Sequence, residues 1–177
     1  MINIPNKSTE LVIMDALFIL TRDYNFPKII IDVGANSNAT ISTPFIAEGW
    51  SALLIEPQKS CIELLLNRFD ANSSVDILRC GCSDEETTLR LYYAKEGEGS
   101  ELATFSQSDD PWMSMVRNKN HYEDIAVRRL SDIIDSKPNF ENIGILKVDT
   151  ESFDYKVILG VDFNRHHPKI IITEEYL

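Results

Sequence analysis

The sequence predicts an α/β fold: a doubly wound, mostly parallel sheet with helices on both faces. Three observations carry this. Short apolar runs such as Ile29-Ile30-Ile31 and Ala52-Leu53-Leu54-Ile55 have the length and composition of fully buried strands. Segments of helical spacing separate them, so strand, turn, helix and strand alternate as in right-handed parallel crossovers. Polar and acidic residues fall where the runs end, at Asp32, Glu56, Ser83 and Asp84, Asp149 and Glu151, and Glu174. In a parallel sheet those carboxyl ends share one edge, so the acids converge.

The elements follow in order within a single domain of 177 residues, with a leading helix inside 1–27 and the core in 28–177. Ser8-Thr9-Glu10 opens an amphipathic helix to about Asp23, with Leu11, Met14, Leu17 and Phe18 on one face. Asn25-Phe26-Pro27 breaks it, and the first strand is Ile29 to Val33. The turn from Gly34 to Asn38 leads into a short helix with Thr43-Pro44 in its first turn and Gly49 as its stop. The second strand, Ser51 to Ile55, ends in Glu56-Pro57, and a helix runs from about Lys59 to Phe69. The third strand is expected over Val75 to Cys80, ending in Gly81-Cys82-Ser83-Asp84.

Thr87 to Tyr93 alternates as a half-exposed strand does. Glu96 to Glu123 reads as a long irregular stretch, usually functional or mobile in a compact domain, and holds Trp112, Met113 and His121. Ile125 to Arg128 reads as a short strand and Leu130 to Asp135 as a short helix. The fourth strand, Ile143 to Val148, ends in Asp149-Thr150-Glu151. A helix from Phe153 stops at Gly160, and the fifth strand is Lys169 to Thr173.

Composition narrows the partners. With 44% hydrophobic residues the chain can bury a core. A formal charge of −11 disfavours nucleic acid or anionic lipid as the main partner. No apolar run reaches the ~18 residues of a membrane span, and the polar start is unlike a signal peptide. Cys61, Cys80 and Cys82 read as reduced, buried thiols, so a cytoplasmic protein is expected.

The edge suits a nucleoside cofactor. Asp32 precedes the turn glycine Gly34, and Glu56 ends the second strand at about the 20-residue spacing of a ribose-binding carboxylate. A dinucleotide needs further glycines for the backbone to approach its pyrophosphate, and those positions hold Asn36 and Ala39. S-adenosylmethionine has a ribose and an adenine without the pyrophosphate. Its sulfonium and ammonium also suit a mouth rich in acids. An NAD-dependent reductase is the poorer reading.

Five motifs occur in order: Ile31-Asp32-Val33-Gly34-Ala35-Asn36, Gly49-Trp50, Ile55-Glu56-Pro57, Arg128 to Ile133, and Leu146-Lys147-Val148-Asp149-Thr150-Glu151. Together they resemble the FkbM-type S-adenosylmethionine-dependent methyltransferases over about Lys28 to Glu174. The resemblance implies a Rossmann-like fold of methyltransferase type and methyl transfer to a hydroxyl of a sugar, glycolipid or natural product. By position, Asp32, Gly34, Ala35 and Asn36 would line the methionine part of the donor. Glu56 would bind the ribose, Pro57 would lie beside the adenine, and Cys82, Ser83 and Asp84 would edge it. Asp149 and Glu151 would face donor and acceptor, with Asp149 the first choice of base and Glu151 the second. No metal is assigned, because no third acid stands near this pair in sequence.

Three departures from the family pattern matter. Asn38 replaces a usual Gly, where Asn tolerates the left-handed conformation. Ser152 replaces the Gly after the strand-end Glu, and Asp154 a usual Glu. The chain also stops straight after the fifth strand, two strands short of the usual methyltransferase sheet. That leaves an exposed edge expected to pair in a homodimer. The alternative expectation is a degenerate relative that binds cofactor or a partner without catalysis.

Overall fold

The computed structural model describes residues 9–23, 25–93, 103–107, 109, 111–118 and 121–173. Its elements are α1 (Thr9–Leu20), β1 (Ile29–Val33), α2 (Ser42–Ala47), β2 (Ser51–Ile55), α3 (Lys59–Phe69), β3 (Val75–Leu78) and β4 (Gly81–Ser83). They continue with β5 (Thr87–Tyr93), β6 (Ala103–Thr104), α4 (Pro111–Arg117), β7 (His121–Arg129), α5 (Leu130–Asp135), β8 (Ile145–Val148), α6 (Asp154–Leu159) and β9 (Ile170–Thr173).

Five strands form a parallel sheet in the order β3-β2-β1-β8-β9. The crossover between β1 and β8 makes their carboxyl ends a topological switch point, where open α/β sheets take their ligands. Alternate residues face opposite layers. Ile31, Val33, Leu53, Ile55, Leu146 and Val148 pack with Leu130, Ile133, Ile134 and Val157 from α5 and α6. Ile30, Ala52, Leu54 and Ile145 pack with Met14, Leu17, Phe45, Ile46 and Leu65 from α1, α2 and α3. Burial on both faces is why β1, β2 and β8 are mostly apolar, with Asp32 and Lys147 the charged exceptions. The leading helix docks by stacking Phe18 on Phe45 at 4.8 Å, and Phe45 in turn meets Trp50. Gly49, at φ +83, turns the chain from α2 into β2.

The third strand departs from expectation. It ends at Leu78, and Gly81–Ser83 leaves to form β4 of a second sheet, ordered β4-β7-β5-β6. The stretch expected to be irregular also holds structure among its described residues. Pro111–Arg117 is helical, and β7 begins at His121, pairing along the whole of β5 from Thr87↔Val127 to Tyr93↔His121. Its polar residues are those of a ladder half open to solvent: Leu89, Leu91, Ile125 and Val127 turn to a small core of their own. The fourth strand starts at Ile145, two residues later than expected. No described helix is long and apolar enough to cross a membrane.

Candidate functional site

The register of β1 on β8 sets Asp32 opposite Lys147. Both are buried, at 1% and 8% exposure. Lys147 Nζ lies 3.0 Å from Asp32 Oδ1 and 3.4 Å from Asp149 Oδ2, and donates to the Gly34 carbonyl at 2.8 Å. Ser42, the first residue of α2, donates to Asp32 Oδ2 at 2.6 Å. A buried charge is tolerated only when paired and hydrogen-bonded, and each charge here is. Burial alone would depress the Lys147 ammonium; Asp32 and Asp149 outweigh it and raise its pKa, so Lys147 stays a cation.

Beside this trio the chain turns sharply. Gly34 (φ +78) and Ala35 donate to the Ile55 carbonyl at 2.9 and 3.2 Å. Glu56, 3% exposed, clasps the ends of β1 and β2. Its Oε2 accepts the Asn36 N–H and its Oε1 the Gln58 N–H, both at 2.9 Å. Burial pushes the Glu56 carboxyl up, against the lowering effect of those two bonds. The left-handed residues of the turn are Asn36 (φ +53) and Ala39 (φ +42), so the tolerance sought at Asn38 is exercised by its neighbours. Cys61 bonds Asn36 Oδ1 through its Sγ at 3.6 Å, and burial pushes its thiol up to about 12, which makes it inert.

The end of β8 forms the third side. Asp149 donates its N–H to the Val33 carbonyl at 3.0 Å, and its side chain is 40% exposed. Glu151 (φ +53) and Ser152 (φ +68) then make two left-handed residues in a row, so Ser152 takes the backbone conformation that favours glycine. Thr104 holds that corner from the second sheet. Its Oγ1 donates to the Glu151 carbonyl at 2.6 Å and accepts the Ser106 N–H at 2.9 Å.

Asp32, Gly34, Ala35, Asn36, Glu56 and Asp149 are thus brought together around one switch point, and Pro57 and Glu151 follow in the same two strand-end turns. Cys82, Ser83 and Asp84 keep other company. Cys82 is packed in the core beneath α5 and α6, and the Ser83 carbonyl sits where a Cβ on Gly160 would fall, at 2.0 Å. Asp84 pairs with Lys156 at 3.0 Å. The reason is the early end of β3, which carries these residues into the second sheet. Arg79 follows that strand end instead, donating to the Pro57 carbonyl at 3.1 Å and to Glu123, which also accepts from Tyr93. Burial pushes Glu123 up, but Arg79 and Tyr93 more than offset it and hold its carboxyl below the usual range.

The sequence reading missed Lys147, Arg79, Glu123 and Tyr93. A lysine inside the apolar run Ile145–Val148 was a usable signal for the first; the others needed the second sheet. His121 sits at the start of β7 opposite Tyr93, and Met113 is buried on α4. The Trp112 side chain lies outside the described residues. His166 is buried 3.1 Å from Asp135, ahead of the amino end of β9 and away from the site. Among the described residues no three His, Cys, Asp or Glu side chains converge as a metal site would require.

A sheet of this order with a glycine turn at its switch point defines a Rossmann-like α/β domain of methyltransferase type. Residues 32–177 match the methyltransferase FkbM domain, and the chain belongs to that family. It is 27% identical over 162 residues to a protein of Sordaria araneosa named methyltransferase sdnD, covering 78% of this chain and 62% of that one. It is 23% identical over 150 residues to methyltransferase 1 of Beauveria bassiana, covering 77% and 60%. The chain therefore spans about three-fifths of the length of these curated relatives. No solved structure matches it.

Proposed function

We propose that the domain is an S-adenosylmethionine-dependent O-methyltransferase acting on a hydroxyl of a sugar, glycolipid or natural-product acceptor. The observation that carries this is the anionic switch point: Asp32, Lys147 and Asp149 beside the Gly34 turn, with Glu56 next to them. The donor set fits the cofactor. Two carboxylates against one ammonium leave a net negative charge for a sulfonium nucleoside. Each Glu56 oxygen accepts one backbone N–H and retains acceptor capacity for a ribose hydroxyl. Asn36 and Ala39 carry a Cβ where a pyrophosphate would need glycine, which disfavours a dinucleotide.

In this reading Asp32, Gly34, Ala35 and Asn36 hold the methionine part, Glu56 the ribose and Pro57 the adenine side. When bound, S-adenosylmethionine supplies an electrophilic methyl group. The chain's task is to hold the acceptor oxygen in line with it, which accounts for up to roughly 7–11 kcal/mol of barrier in well-oriented systems. Asp149 takes the acceptor proton on its carboxylate, for about 10²–10⁴-fold, with Glu151 the second candidate.

The test is calorimetric titration with S-adenosylhomocysteine, with NAD as control, followed by transfer of labelled methyl to a panel of hydroxylated acceptors. Micromolar binding of S-adenosylhomocysteine and none of NAD is expected; the reverse would overturn the reading. The strained Glu151–Ser152 corner favours one alternative, a degenerate domain that binds without turnover. Binding with no methyl transfer across the panel would select it.

A further inference from the structure

We propose that Lys147 is a positioning residue that sets the donor site through Asp149 and the Gly34 turn, and does more than neutralise Asp32. The proposal rests on the S-adenosylmethionine reading above. Neutralising Asp32 needs one contact, and the register supplies it. The ammonium instead reaches three acceptors: Asp32 Oδ1 at 3.0 Å, the Gly34 carbonyl at 2.8 Å and Asp149 Oδ2 at 3.4 Å. One of these is a hydrogen bond, to the Gly34 carbonyl, and two are ion pairs, so the ammonium ties the turn to both carboxylates.

Two of the three contacts fall on groups that lie beyond the ends of β1 and β8, where the candidate ligand residues are. Asp149 projects from a strand end with an open side, and the Lys147 contact restricts where its carboxylate points. The Gly34 peptide is held from both sides, its N–H by the Ile55 carbonyl and its carbonyl by Lys147. The Lys147 ammonium is directed onto these protein groups, so it acts on the ligand site through them. Ser42 keeps Asp32 fixed behind it, which anchors the ammonium from the rear.

The deciding experiment is a charge-matched cycle read by calorimetry with S-adenosylhomocysteine. Asp32→Asn combined with Lys147→Met removes one buried anion and one buried cation, so the net charge of the trio is unchanged. Asp32→Asn with Lys147→Gln replaces that pair if it does not fold. The expected result is a folded protein that binds S-adenosylhomocysteine at least about tenfold more weakly than Asp32→Asn alone, the variant that accounts for any contact Asp32 itself makes. Asp149→Asn should weaken binding similarly, and adding it to the double variant should cost little more, because groups acting as a unit are non-additive. In wild type, the ¹⁵N signal of the Lys147 ammonium should shift when S-adenosylhomocysteine is added, and in Asp149→Asn it should not. Binding by the double variant equal to that of Asp32→Asn, full additivity, or an ammonium signal indifferent to the ligand would overturn the proposal alone. A wild-type protein that ignores S-adenosylhomocysteine would overturn the cofactor reading and this proposal with it.

Discussion

Gly34 and Asp149 meet backbone to backbone: a Cβ on Gly34 would lie 1.9 Å from the Asp149 carbonyl oxygen. That contact draws together the loops after β1 and β8 at the switch point. Gly34→Ala must therefore separate them and also hold an L-residue at φ +78, which by itself costs about 1–2 kcal/mol. A melting temperature lower by at least about 2–4 °C, with S-adenosylhomocysteine binding lost, is the expected outcome. Unchanged melting and calorimetry would contradict it.

Thr104 and Ser152 should be energetically coupled. Thr104→Val removes two hydrogen bonds, the one its Oγ1 donates to the Glu151 carbonyl and the one it accepts from the Ser106 N–H, for about 0.5–1.5 kcal/mol each. Ser152→Gly relieves a left-handed residue and should stabilise by about 1 kcal/mol. Once the corner is relaxed the Thr104 staple matters less, so urea unfolding of the double variant should show a coupling of at least about 0.5 kcal/mol. Strict additivity would mean the bond does not hold the corner.

Asp154 gives a pH dependence of defined sign. Its Oδ1 accepts the Thr150 N–H at 3.2 Å, while Oδ2 is buried with no hydrogen-bond partner among the described residues. Burial raises its pKa from the ordinary 3.8, partly countered by backbone hydrogen bonds. The folded state thus prefers the protonated acid, and the stability it contributes is complete below 3.8 and lost as pH rises through the folded value. Asp154→Asn should outlast wild type at neutral pH, with the gap closing on acidification. Denaturation curves across a pH series would show this, and a gap independent of pH would refute it.

The outer strand β9 should pair with a second copy. Ile170 N–H bonds the Gly144 carbonyl on the inner side, so by alternation the Ile171 N–H faces outward, where no described strand pairs with it. Ile171→Pro removes that donor and leaves the inner ladder bonds in place. Sedimentation equilibrium should find a dimer for wild type and a monomer for the variant. A wild-type monomer at every concentration would dispose of the pairing.

The parallel strands were legible because burial on both faces of β1, β2 and β8 demands mostly apolar residues, and the glycine turn because few other residues bend a chain there. The second sheet was harder to see. His121 to Glu123 alternate with solvent, and β4 is three residues long, so neither stands out by composition. Misplacing the end of β3 by two residues also misplaced Cys82, Ser83 and Asp84, since those two residues divide one sheet from the other.

By itself, then, the sequence determined the parallel sheet, its carboxyl-edge acids and the family motifs, because these are local patterns of burial and turn chemistry. Only the tertiary structure decided which of those acids meet and how deeply they are buried. That Lys147 stands between Asp32 and Asp149, that Glu56 clasps two turns, and that Thr104 holds Glu151 all follow from strand register and sheet packing. Those contacts join residues far apart in the chain, and a one-dimensional pattern carries no term for them.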